Sequence, residues 1–304
     1  MEQINAMNFG VFAGKGMFDG DEARVSLRQM KERTNASHVI FTPSGLMETP
    51  QSETIVWRGE WNMPDTELSE FIAFAQSLGL KVILKPTLNC MNGTWRAFIN
   101  FFDNEVPPEP KWSSWFKSHL EFHRSYAKLA KDTGCVMYIT GCEMVMAERK
   151  SDHWRELVAE CRDISGLPVS YNTDKYQEDN VDWWDAVDVI SSSGYYPSGS
   201  WDTQLDRIEK VVKRYEKPFF FAEIGCMSAT GSSAVPNDWT AGGAPNNDEQ
   251  AMWYAEMFAK TKARDWCSGY GLWSWQSNLS DLDERGYSLY GKTAERIVKE
   301  NFTL

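Results

Sequence analysis

Short apolar runs rich in β-branched and aromatic residues recur eight times along these 304 residues, at Asn8 to Ala13, His38 to Thr42, Lys81 to Lys85, Val136 to Gly141, Val169 to Asn172, Val187 to Ser192, Pro218 to Glu223 and Tyr270 to Trp275. Such runs read as strands. Six intervening stretches carry the apolar spacing of helices: Glu22 to Met30, Leu68 to Leu78, Trp115 to Leu129, Trp154 to Ile164, Leu205 to Val212 and Ala251 to Ala263. The turn chemistry agrees, with Gly79 and Gly134 closing two helices and Gly166-Leu167-Pro168 joining a third to the next strand. The pattern reads as strand followed by helix throughout, which predicts an α/β chain folded as a (β/α)8 TIM barrel with its chemistry at the C-terminal ends of the strands. The rival is a doubly wound open sheet. A dinucleotide-binding version of it needs G-x-G-x-x-G after the first strand, and Gly14-Lys15-Gly16 continues with Asp19 and Gly20 in the wrong places.

No Pro/Ser-rich linker or charge block divides the chain, so residues 1–304 read as a single catalytic domain. The 31 Lys+Arg against 43 Asp+Glu leave a net charge of −12, which repels both a phosphate backbone and an anionic membrane surface. Nucleic acid and membrane are therefore not expected partners. Six cysteines lie scattered without a CxxC pair and read as reduced thiols. The start MEQINAMNFGVF lacks a basic region followed by an apolar core, so a cytoplasmic location is the expectation. The 14 tryptophans exceed what a core of this size needs; half of them are expected to fill it, and the surplus offers flat faces for sugar rings.

Two glutamates end apolar strands. Glu143 closes Val136-Met137-Tyr138-Ile139-Thr140-Gly141-Cys142-Glu143, and Glu223 closes Phe219-Phe220-Phe221-Ala222-Glu223. A carboxyl placed after a buried run loses solvation and holds its proton, while donors around a second carboxyl keep that one ionised. One acid and one nucleophile facing each other are what a retaining glycosidase uses, with the carboxyls about 5 to 5.5 Å apart. Lys85, an ammonium at the end of an apolar strand, needs either sugar hydroxyls or a carboxylate to offset its burial; sugar contact is the favoured reading. Asn89, Arg96 and Asn172 are polar groups on neighbouring strand-to-helix loops and read as substrate-binding, with Trp95 as a wall of the cleft.

These segments together resemble glycoside hydrolase family 113, a group of β-mannanases among the clan A retaining glycosidases. The likeness spans nearly the whole chain. It is carried by Leu80 to Pro86 with Trp95-Arg96, by Gly141-Cys142-Glu143, Trp154-Arg155-Glu156-Leu157, Gly194-Tyr195-Tyr196-Pro197, Ala222-Glu223-Ile224-Gly225 and Gly271-Leu272-Trp273-Ser274-Trp275. The resemblance implies Glu143 as general acid/base, Glu223 as nucleophile, and Trp273 as the aromatic floor under the sugar at the cleavage point, unless Trp273 is a core residue of its alternating strand. Either Tyr195 or Tyr196 is expected to donate its hydroxyl to Glu223 and orient it. Many clan members carry Asn before the acid/base, where it bonds the sugar 2-hydroxyl; Cys142 stands there instead and is a weak donor.

No cofactor and no metal are expected. None of His38, His119, His123 and His153 forms an H-x-H, and the i, i+4 pair His119 and His123 reads as an exposed or packed helix face. The long loop from Met227 to Asn247, with Trp239 inside it, is expected to cover substrate. The resulting expectation is a retaining glycoside hydrolase acting on β-1,4-mannosidic linkages of mannan or, given the chain's start, of short manno-oligosaccharides. The alternatives are another clan A specificity, such as a β-xylanase, β-glucanase or exo-glycosidase, and a non-catalytic sugar-binding barrel.

Overall fold

The computed structural model describes residues 1–240, 242–280 and 282–303. Eight parallel strands close into a barrel: β1 (Ile4–Phe9), β2 (His38–Phe41), β3 (Lys81–Leu84), β4 (Met137–Cys142), β5 (Val169–Thr173), β6 (Val189–Ser193), β7 (Phe219–Ile224) and β8 (Cys267–Trp275), with β8 returning to β1. The helices are α1 (Asp21–Thr34), α2 (Asp65–Ser77), α3 (Trp112–Asp132), α4 (Ser151–Ser165), α5 (Trp201–Tyr215), α6 (Asn247–Lys262) and α7 (Thr293–Asn301). The fold is the expected (β/α)8 barrel.

Three details depart from the sequence expectation. The first strand lies at Ile4–Phe9 rather than Asn8 to Ala13, because Gly10 takes a positive φ of 56° and turns the chain out of the ladder. No α-helix follows β5: the link to β6 holds only a single 3-10 turn, Trp184–Ala186. The outer wall there is made of indoles, with Trp154 and Trp183 stacked at 5.1 Å and Trp184 beside them, all fully buried. Eight of the fourteen tryptophans are buried in this way, so the tryptophan surplus is mainly structural.

The third departure is a two-stranded parallel ribbon, Ser44–Met47 against Thr87–Cys90, standing above the barrel rim. It continues the β2–β3 pairing in the same register, since His38 pairs Lys81 below and Ser44 pairs Thr87 above. Pro43 and Pro86 face each other at the break. Neither has an N–H to give, so the ladder loses a bond there, while the Pro43 carbonyl still accepts from Thr87 N–H at 2.9 Å and carries the pairing on.

Alternation along the strands sends one set of side chains outward to the helices and the other into the barrel, where Ile4, Ile40, Ile83, Ile139, Val189 and Phe220 fill the interior. His119 and His123 on α3 belong to the outer layer and are fully buried. Their Nε2 atoms lie 3.0 Å apart, and His123 Nδ1 bonds the Tyr138 hydroxyl of β4 at 2.7 Å. Burial lowers the pKa of His123 to about 3; for His119, burial and then the neighbouring His123 push it well below the usual value. Both stay neutral in the folded chain while the unfolded chain protonates them near pH 6.5. Their stabilisation is thus present above pH 6.5 and is lost progressively as pH falls toward 3. Urea unfolding at pH 7.5, 6.0 and 5.0 should show the native chain losing about 1 kcal/mol more between pH 6.0 and 5.0 than a His119→Phe variant does. Parallel curves for the two proteins would contradict this.

Candidate active site

The C-terminal ends of β4, β7 and β8 all carry register shifts, and these aim the site. Along β7, Phe219 and Phe221 face outward and Phe220 and Ala222 inward, so strict alternation would send Glu223 out to the helices. The pairing to β6 jumps from Ser192↔Phe221 to Ser193↔Glu223, inserting one residue and returning Glu223 to the barrel mouth. Along β4 the pairing jumps from Ile139↔Ser170 to Cys142↔Asn172, which re-aims Cys142. Glu143 follows with φ 53°, a left-handed conformation that costs a non-glycine residue about 1 kcal/mol and turns its carboxyl across the mouth. The β1–β8 register shifts beside Trp273. Gly225 completes the arrangement: a Cβ there would sit 2.4 Å from the Trp273 carbonyl oxygen, so only glycine lets the chain after Glu223 press against β8.

The two glutamates are nearly buried, and one oxygen of each lies within 4.8 Å of the other and of Cys142 Sγ. Glu223 Oε1 accepts from Lys85 Nζ at 2.5 Å and from Cys142 Sγ at 3.1 Å, and its Oε2 accepts from the Tyr195 hydroxyl at 3.2 Å. Glu143 Oε1 accepts from Ser193 Oγ at 2.7 Å; its Oε2 accepts from Trp95 Nε1 at 3.2 Å and Arg96 Nη1 at 3.4 Å.

These surroundings drive the two carboxyls apart. Burial raises both. At Glu223 the Lys85 and Arg96 charges, with the Lys85 and Cys142 hydrogen bonds, outweigh burial and leave the pKa below the usual carboxylate value. At Glu143 burial and then the Glu223 charge outweigh Arg96 and Ser193, and the pKa is raised. As pH rises the pair therefore ionises first at Glu223, and Glu143 is the carboxyl that keeps its proton longer.

The cleft beside Glu223 is lined by Phe12, Ser44, Thr87, Asn89, Arg96 and Trp273. Phe12 is well exposed at a positive φ of 62° and meets the Trp273 ring edge-on at 6.0 Å. A larger surface concavity of about 610 Å³ lies between α1 and the end of α2, lined by Arg28, Lys31 and Glu32, far from the glutamates and without an acid pair of this kind. The chemistry, not the size of the hollow, marks the site.

Among the residues expected from sequence, Tyr195 reaches Glu223 but Tyr196 does not. Its ring points to the opposite side of the chain, where its hydroxyl donates to the buried Glu178. Lys85 is fully buried and its ammonium bonds Glu223, so of the two partners that could offset its burial the structure supplies the carboxylate: Lys85 is an ion pair in the barrel mouth rather than a group exposed to the cleft. Asn172 is also fully buried, its amide donating to Ser193 Oγ and the Thr173 carbonyl beneath Glu143, and it does not face the cleft. Asn89 accepts from Arg96 Nη2 and donates to Ser44 Oγ, on the wall of the cleft. Trp95 and Arg96 both hold Glu143, and Trp273 is half-buried at the mouth, 5.7 Å beneath the Lys85 ammonium.

Ser193, Phe12 and Asp174 were not anticipated. Asp174 follows β5, and burial and then the Glu143 charge raise its pKa to about 7. The serine run Ser191-Ser192-Ser193 at a strand end was the available signal for Ser193. The loop after β7 is pinned by the Ala229↔Pro245 bridge and by the Tyr287 hydroxyl on the Pro236 carbonyl, and Trp239 on it stands 70% exposed to solvent. Residue 241 of that loop lies outside the described residues.

Cys142, Glu143 and Glu223 also have the spacing of a metal-ligand set. The Lys85 and Arg96 cations already occupy their negative charge, and burial holds the Cys142 thiol protonated. The donor set does not suit a divalent ion.

The Lys85 pairing predicts a pH effect. In Lys85→Met, Glu223 keeps its burial but loses its nearest cation, so the acid limb of kcat/KM should move up by at least about one pH unit. A pH–rate profile checks this, and an unmoved limb would contradict it.

The family model of Glycoside Hydrolase Family 113 matches residues 7–292. The chain belongs to this family. Among solved structures, a family 113 β-1,4-mannanase seen as a complex is 52% identical, with each chain 99% covered and a TM-score of 0.97. The family 113 β-mannanase AaManA from Alicyclobacillus acidocaldarius, in complex with ManMIm, is 40% identical, with 99% of this chain and 97% of that one covered and a TM-score of 0.94. The β-D-glucuronidase of Dictyoglomus thermophilum, 14% identical at a TM-score of 0.68 and with half of its chain covered, shares the fold alone. No curated protein sequence matches. As a family 113 member the protein is a glycoside hydrolase acting on carbohydrate, and among the described residues no helix is long and apolar enough to cross a membrane.

Proposed function

We propose that this family 113 glycoside hydrolase cleaves β-1,4-mannosidic linkages in mannan or manno-oligosaccharides with retention of configuration, using Glu223 as nucleophile and Glu143 as acid/base. Glu223 attacks the anomeric carbon while Glu143 gives its proton to the departing oxygen; Glu143 then takes a proton from the water that releases the sugar. The observation that carries this reading is the pair itself: one oxygen of each carboxyl within 4.8 Å of the other, one carboxyl surrounded by cations and the other by burial and a neighbouring anion. Such an approach favours the close pair of a retaining enzyme over the carboxyls about 6.5 to 9.5 Å apart that an inverting enzyme uses to admit a water.

Likeness to β-1,4-mannanases at 40% and 52% identity over the whole chain supports mannose over xylose or glucose as the sugar. The test is reducing-sugar release from manno-, xylo- and cello-oligosaccharides of equal length, with the anomer of the first product read by NMR. The manno-series should be turned over with a kcat/KM at least 100-fold above the others, a difference of about 2.7 kcal/mol in transition-state binding. The first product should be the β-anomer. Equal rates across the three series, or an α-product, would overturn the reading.

A further inference from the structure

The thiol of Cys142 is spent on the nucleophile. It is fully buried, and Sγ lies 3.1 Å from Glu223 Oε1, the oxygen that also takes the Lys85 ammonium. Arg96 Nη1 points at the sulfur from the other side at 3.7 Å, donating toward its lone pairs and leaving the S–H directed at Glu223. Residue 142 faces inward only because of the register shift at the end of β4.

We propose that Cys142 is a positioning residue that, with Lys85, anchors Oε1 of Glu223 and thereby assigns attack on the anomeric carbon to Oε2. This rests on the double-displacement reading above and adds to it which of the two oxygens forms the bond. A lone pair of Oε2 makes the new bond to carbon as the bond to the leaving oxygen breaks, and that oxygen takes the proton of Glu143. Oε1 then becomes the carbonyl oxygen of the glycosyl ester. An ester carbonyl remains a good acceptor whereas its alkyl oxygen does not, so both donors on Oε1 persist through the step without rearrangement. The one donor on Oε2, Tyr195, sits at the longer distance of 3.2 Å and is the one released as that oxygen bonds to carbon.

Burial pushes the thiol well above its usual range, so it remains an S–H donor across the working pH. The charged and titratable groups facing Glu223 are Lys85 from β3, Arg96 from the loop after the ribbon, Cys142 and Glu143 from β4, Tyr195 after β6 and Tyr287 from the final loop. Cys142, like the two tyrosines, can be exchanged without adding or removing charge near Glu223, and of these neutral groups it is the one that bonds Oε1.

Two experiments test the proposal. The first measures kcat/KM against pH for wild type, Cys142→Ala and Cys142→Ser on a dinitrophenyl β-mannoside, whose leaving group needs no proton, so the acid limb reports Glu223 alone. The alanine variant should show its acid limb raised by about 0.5 to 1 pH unit, the size appropriate to losing one neutral donor to a carboxylate. The serine variant, which keeps a donor, should return the limb to within about 0.3 unit of wild type on the same reasoning. An unmoved limb in the alanine variant, or a serine variant that tracks alanine, would overturn the proposal.

The second experiment uses the unmodified chain and does not depend on any variant folding: a crystal structure after trapping with a 2-deoxy-2-fluoro-mannosyl fluoride. The ester carbonyl oxygen should lie against Cys142 Sγ and Lys85 Nζ, and the oxygen bonded to carbon should be the one nearer Tyr195. An adduct bonded through the oxygen facing Cys142 would overturn this inference alone. The lack of any adduct on Glu223 would overturn the reaction reading with it.

Discussion

Glu223→Ala is expected to lower kcat on manno-oligosaccharides by at least ~10⁴-fold, the scale on which removal of a covalent nucleophile is felt. The loss follows from geometry: the neighbouring carboxyls are Glu143, held by Ser193, Trp95 and Arg96, and Asp174 near it, and neither occupies the place between Lys85 and Tyr195 that Glu223 holds. Adding azide should restore turnover, because the small anion fits the space that the lost carboxylate leaves between Lys85 and Tyr195. Since azide then attacks from the nucleophile's face, the product should be the α-mannosyl azide, identified by NMR. A β-azide, or wild-type turnover in the variant, would remove Glu223 from its proposed role.

Glu143→Ala should give the complementary result. On oligosaccharides, whose leaving oxygen needs a proton, kcat/KM should fall by about 10² to 10⁴-fold. On a dinitrophenyl glycoside the first step needs no acid, so kcat/KM should stay near wild type while the second step, which needs a base, becomes limiting and KM drops. Azide now intercepts the glycosyl-enzyme and yields the β-azide. The wild-type pH profile on oligosaccharides should be bell-shaped. Activity rises as Glu223 ionises at its lowered pKa and falls as Glu143 loses its proton at its raised one. Loss of the alkaline limb when wild-type kcat/KM is measured on the activated glycoside, whose first step needs no acid, would assign that limb to Glu143; a limb that persists there would refute the assignment.

Much of this was legible in the sequence because barrel strands announce themselves as apolar runs and their last residues point to one mouth. Seven of the eight strands lie within two or three residues of their expected limits. The first was misplaced because Val11-Phe12-Ala13 is apolar enough to pass for strand although Gly10 has already turned the chain. The ribbon was missed because Pro43 and Pro86 read as strand ends, and only the three-dimensional register shows that pairing resumes after them. The helix expected after β5 is absent because tryptophans fill its place, which composition registers only as an excess of one residue type.

At the site, residue types were legible and orientations were not. Tyr195 and Tyr196 are adjacent in sequence and project to opposite sides, so choosing between them needs the backbone. Lys85 was correctly marked as an ion requiring compensation, but the partner that supplies it lies 138 residues away. The bulges at β4 and β7 leave no trace in composition, and without them Glu223 would face the helices.

The opposed prolines have a practical corollary. Below them the β2–β3 ladder is part of the closed barrel that holds the nucleophile's counter-ion; above them the same two segments form a rim that supplies Ser44 and Asn89 to the cleft wall. The break lacks only a bond that a proline nitrogen cannot give; the Thr87 N–H still reaches the Pro43 carbonyl at 2.9 Å, and Met47 and Leu88 of the rim are buried in the core, so the rim is fixed to its base. Exchanging the cleft-lining Ser44 and Asn89 on this fixed rim is a route to changing which saccharide is accommodated while the reacting groups keep their places.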